Sequence, residues 1–70
     1  MMIVSIVYED GKPIRVFKDD ACIYSAYKWC HRHFCLDEIN PELPMHKLPD
    51  WLEVKLYTLT EEQFNNLIVQ

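Results

Sequence analysis

Apolar and polar residues follow different rhythms in successive stretches of this chain. Residues 2–8 (MIVSIVY) form a short apolar run rich in Val and Ile, which predicts a strand rather than a helix. Glu9-Asp10-Gly11-Lys12-Pro13 interrupts it, and Asp-Gly is a strong reversal signal because glycine adopts positive φ without steric penalty. Residues 14–17 (IRVF) then return as a second strand, so 2–17 reads as a β-hairpin. Residues 20–35 contain neither Gly nor Pro. Ile23, Tyr27, Cys30 and Phe34 recur there at helical spacing, with Cys22 and Ala26 widening the stripe, which predicts a core-facing helix. Asp19 and Asp20 stand before it as candidate caps, and Tyr24, Lys28, His31, Arg32 and Cys35 fall on its opposite side.

Pro41, Pro44 and Pro49 exclude a regular helix or central strand from residues 36–51 and predict a Pro-rich loop, with Leu43, Met45, Leu48 and Trp51 available to pin it to the body. Alternation returns at 52–59 (LEVKLYTL), the pattern of a half-buried strand. Thr60-Glu61-Glu62-Gln63 matches a capping box, and Phe64, Leu67 and Ile68 supply the stripe of a C-terminal helix over 60–68. The element order β-β-α-β-α predicts one domain over 1–70, a two-layer α+β fold with its helices on one face of a three-stranded sheet. The first strand is the most apolar and belongs in the middle, which gives the order 2-1-3. A helical crossover then sets the third strand parallel to the second and antiparallel to the first.

Composition narrows the function classes. The chain has 70 residues, half of them hydrophobic, with one Gly and a net charge of −4. No run approaches the roughly 20 apolar residues that span a bilayer, so no membrane association is expected. Acidity is concentrated after residue 36, in Asp37, Glu38, Glu42, Asp50, Glu53, Glu61 and Glu62 against Lys47 and Lys55. That balance argues against a general phosphate-backbone binder, which needs clustered cations. Cys22, Cys30 and Cys35 are an odd number, and Met1-Met2-Ile3-Val4-Ser5 does not open a signal peptide, so reduced thiols in a cytoplasm are expected.

Three clusters bear on chemistry. Cys30, His31, His33 and Cys35 contain the right donors for zinc, but the paired Cys-x-x-Cys knuckle is missing, so no metal or other cofactor is expected and a zinc-stabilised domain is the alternative. Lys28, His31 and Arg32 form a possible anion-binding patch on the outer helix face, small for a protein of this charge, which makes nucleic acid an unlikely ligand. The third is the sheet surface away from the helix. If Val4, Ile6 and Tyr8 face the helix, then Ile3, Ser5 and Val7 face outward, joined by Arg15, Phe17, Glu53, Lys55 and Tyr57. Large apolar groups on an uncovered face mark a partner-binding surface. Trp51 in the Pro-rich loop is a further candidate anchor. Neither a phosphate-binding glycine loop nor a nucleophile–base pair is present, so the expectation is a non-enzymatic protein.

The hairpin carrying EDGKPIRVF, running into DDACIYSAYKW, resembles small cytoplasmic proteins of tailed bacteriophages over the first half of the chain. The resemblance implies a role in binding or inhibiting a bacterial host protein, defence enzymes included, and carries over no catalytic residue. Together these readings lead to an interaction module, an inhibitor or accessory factor, with a host enzyme or a second copy of itself as partner. Acidic groups such as Asp37, Glu38 and Glu42 suggest a DNA-mimicking subclass.

Overall fold

A computed structural model of the protein describes residues 2–18 and 22–67. Strands β1 (Met2–Glu9) and β2 (Lys12–Phe17) form the hairpin, helices α1 (Cys22–His33) and α2 (Leu36–Ile39) follow, and β3 (Leu52–Leu59) and α3 (Glu61–Asn65) complete the chain. The sheet order is β2-β1-β3, with β1 antiparallel to both neighbours. The α+β class, the sheet order and the strand directions are those the sequence predicts.

The hairpin turn has two residues. Asp10 (φ 52°) and Gly11 (φ 81°) both take positive φ, the geometry that matches the twist of paired strands. The strands therefore reach the turn itself and exceed the predicted 2–8 and 14–17. Pro13 is tolerated within β2 because an edge strand leaves one side of its ladder unpaired. A β-bulge follows, where Val7 pairs with Arg15 but Tyr8 pairs with Pro13. The extra residue, Ile14, turns toward the core and packs against it.

Two predicted boundaries change. The helix expected over 20–35 breaks at Cys35, whose φ of 52° and ψ of 46° are left-handed and end α1. Its amide reaches the Arg32 carbonyl at 3.4 Å, and α2 starts at once from the first part of the expected loop. Asp19 and Asp20, the candidate caps of α1, lie outside the described residues. The C-terminal helix expected over 60–68 ends as α3 at Asn65, and Ile68 lies outside the described residues. Its capping box is formed: the Thr60 hydroxyl accepts from the Gln63 amide at 3.1 Å, and the Thr60 amide donates to Gln63 Oε1 at 2.9 Å.

The Pro-rich stretch is a chain of short turns. The Leu43 amide donates to the Asn40 carbonyl, Lys47 to Pro44 and Leu52 to Pro49, each at 3.0 Å. Leu43 and Leu48 pack on the core, as expected of two of its pins. Val7, Ala26, Cys30, Leu36 and Leu52 form that core, with Phe17, Trp29, Phe34 and Val54 around it.

The orientation of the sheet reverses the expectation. Ser5 is fully buried and donates a 2.7 Å hydrogen bond to the Cys22 carbonyl, and Val7 sits in the core with Ala26 and Cys30. Ile3, Ser5 and Val7 therefore face α1, while Val4, Ile6 and Tyr8 face away. The small inward residues of α1, Cys22, Ala26 and Cys30, admit the helix close to Ser5, and a larger side chain at that position would hold it off. The core stripe is accordingly rotated from the predicted one, and Ile23 is exposed.

Candidate functional site

The expected partner face, Ile3, Val7, Arg15, Phe17 and Tyr57, is not one surface. Val7 is buried in the core, and Phe17 packs edge-on against Trp29 with ring centroids 6.1 Å apart. The Arg15 guanidinium lies over both rings, 5.2 Å from Phe17 and 5.3 Å from Trp29, on the helix side. Tyr57 pairs with Val4 and belongs to the opposite face.

On that opposite face two tyrosines reach toward each other across the sheet. Tyr8 and Tyr57 stand four residues apart along the ladder, roughly 13 Å at the strand rise, yet their hydroxyls meet at 2.9 Å. Both rings must therefore lean across the Ile6–Lys55 rung between them. Lys55 Nζ sits 5.4 Å from the Tyr8 ring and 3.6 Å from Glu53 Oε1. Val4 and Ile6 on this face are buried. The hydrogen bond to Tyr57, with desolvation adding to it, pushes the Tyr8 hydroxyl from 10.0 up to about 12. Phe64 of α3 lies 4.9 Å from Lys18 Nζ, so the chain after β3 crosses toward the β2 side at the Met2 end of the sheet. The bare apolar underside expected from the sequence is therefore replaced by a face carrying a tyrosine pair.

The Cys/His cluster disperses. Cys30 points into the core, where burial pushes its thiol from 9.0 up to about 11. His33 stacks on Trp29, with ring centroids 4.4 Å apart and planes 13° from parallel. Cys35 is exposed at the helix break. His31, expected on the outer helix face, is only 5% exposed, and its Nε2 lies 2.9 Å from the Lys47 carbonyl. A carbonyl oxygen only accepts, so Nε2 carries the proton. Among the described residues no group of three or more His, Cys, Asp or Glu side chains is placed to hold a metal ion. Lys28, His31 and Arg32 likewise do not form one patch, because His31 turns to the Pro-rich segment while Arg32 faces solvent.

Trp51 is 37% exposed and packs edge-on against Phe34 at 5.2 Å, closing an aromatic series that runs from Phe17 through Trp29 and Phe34. It reaches the core through Phe34, which packs on it.

The exposed apolar groups collect elsewhere. α1 and the Pro-rich segment flank an open cleft of about 270 Å³ lined by Ile23, Tyr24, Tyr27, Met45 and His46. Tyr24 is 56% exposed and Met45 45%. The bond from His31 to the Lys47 carbonyl ties the turn carrying Met45 and His46 to α1, which sets the width of the cleft. Lys28 Nζ lies 5.8 Å from the Tyr24 ring, so a cation stands on the α1 bank. Sequence reasoning placed Ile23 and Tyr27 in the core. The missed signal was the small-residue series Cys22, Ala26, Cys30, which marks the closest approach of α1 to the sheet.

No family model matches the chain, and no curated protein or solved structure matches it. Among the described residues no helix is long and apolar enough to cross a membrane.

Proposed function

We propose that the protein is a non-enzymatic interaction module that holds an apolar side chain of an acidic partner segment in the cleft between α1 and the Pro-rich turns. The supporting observation is the cleft itself: a preformed apolar recess in a small domain, with Ile23, Tyr24 and Met45 left exposed around it. Aromatic and Met side chains are adaptable anchors at protein interfaces. Proline turns lose less freedom on binding than an open loop would. Lys28 at the α1 bank complements negative charge on the partner. The resemblance of the first half to small phage proteins supports a bacterial host protein as the target and inhibition or accessory action as the outcome.

The test is differential capture from a bacterial lysate, comparing the tagged protein with Tyr24→Glu and Met45→Glu baits. The expected result is a host protein retained by the parent, lost with both cleft variants and weakened by Lys28→Glu. An identical set of retained proteins on every bait refutes the reading.

A further inference from the structure

The two edges of the sheet are unlike. β2 is guarded: Pro13 offers no amide, a bulge breaks the ladder, and Lys12 and Arg15 project from it. β3 pairs with β1 in unbroken register over eight residues, from Leu52 to Leu59, and among the described residues no strand pairs with its other side, an edge without Pro, Gly or bulge. Natural sheets block such edges or use them.

The β3 sequence indicates a use. Leu52-Glu53-Val54-Lys55-Leu56 reads the same in both directions, except that Glu and Lys exchange places. In antiparallel pairing, directly opposed residues share a face, so a segment of this kind complements a second copy of itself. We propose that two copies of the chain pair antiparallel through β3, with the two-fold axis at Val54, to form a continuous six-stranded sheet.

In this register Glu53 stands opposite the partner's Lys55, and Lys55 opposite the partner's Glu53. Within one chain these two side chains meet at only 3.6 Å and both are more than half exposed. The dimer completes them as a ring of four alternating charges on the tyrosine face. On the helix face Val54 meets its own copy, and Leu56, 51% exposed in the single chain, lies against the partner's Leu52. Any other two-fold register loses this match: an axis at Lys55 sets two ammonium groups together. The contact is isologous and closes on itself, leaving only the guarded β2 edges outside. Because the axis runs perpendicular to the sheet, both copies of α1, and both clefts, lie on the same side.

Sedimentation equilibrium over a dilution series tests the pairing with Glu53→Lys, Lys55→Glu and the double exchange. The parent is expected to reach twice the 8.4 kDa chain mass. Each single variant sets two like-charge pairs face to face and should raise the dimer dissociation constant about tenfold or more. An equimolar mixture of the two single variants should regain the dimer, and so should the double exchange. Circular dichroism of each variant confirms that the fold persists. A parent that stays monomeric at every concentration overturns the proposal. So does a dimer indifferent to these reversals, or a mixture that fails to associate. Tyr24→Glu and Met45→Glu leave the mass unchanged, so failure of the cleft and failure of the β3 pairing are read separately.

Discussion

His31→Ala removes a side-chain hydrogen bond between the middle of α1 and the turn at residues 44–47. His31 is buried, and its Nε2–H donates to the Lys47 carbonyl at 2.9 Å. The hydrogen bond contributes about 0.5–1.5 kcal/mol net. Truncating a buried ring adds a packing and cavity loss of about 1–2 kcal/mol, below the range for a large core residue because the open cleft beside it allows relaxation. The sum, about 1.5–3.5 kcal/mol, is a large share of the roughly 4–10 kcal/mol expected for a 70-residue domain. Urea unfolding followed by circular dichroism should show a lower midpoint with an unchanged slope, and the melting temperature should fall by about 6–28 °C. The local signature is faster exchange of the Lys47 amide, whose 3.0 Å bond to the Pro44 carbonyl closes the tethered turn. His31→Phe keeps the volume without the donor and should lose about 1 kcal/mol. A His31→Ala protein within about 0.5 kcal/mol of the parent, with Lys47 exchange unaltered, would refute the latch.

Two further outcomes are expected. Folding favours the neutral forms of Cys30 (9.0 raised to about 11) and Tyr8 (10.0 raised to about 12). Both contributions are therefore fully present below pH 9 and are lost as pH rises through the window from about 9 to about 12. Alkaline unfolding monitored by circular dichroism should begin near the lower limit, and Cys30→Ala should remove its earlier component; flat stability across that window contradicts the assignment. At the helix break, Cys35 holds φ 52°. Cys35→Val should cost about 1–2 kcal/mol in thermal denaturation, because a β-branched side chain disfavours the left-handed region, whereas Cys35→Gly should be neutral or slightly stabilising. Equal effects of the two changes would show that the backbone there is not left-handed.

The exposed surface of this protein is distributed differently from what periodicity implied, and the cause lies in the hairpin. Alternation groups Ile3, Ser5 and Val7 on one face and Val4, Ile6 and Tyr8 on the other, but it does not say which face meets the helix. The expected partner surface followed from setting Val4, Ile6 and Tyr8 toward the helix. Close approach decided for the other set, because Ser5 both fits under α1 and donates to the Cys22 carbonyl. The exchange also moved Tyr8 outward, where Tyr57 receives it.

Local signals settled whatever depends on neighbours in the chain. The Asp-Gly turn, the three strands, the main helix and the Thr60 capping box rest on φ preferences and on hydrogen bonds spanning a few residues, and all are present. The 2-1-3 order was equally legible, since the most apolar strand is driven to the middle and the helical crossover admits few arrangements. Tertiary structure alone decided the facing of the sheet, the left-handed break at Cys35, the burial of His31 and the cleft that follows from it. Each is a competition between side chains distant in sequence for the same space, and a one-dimensional pattern records the competitors without recording which of them fits.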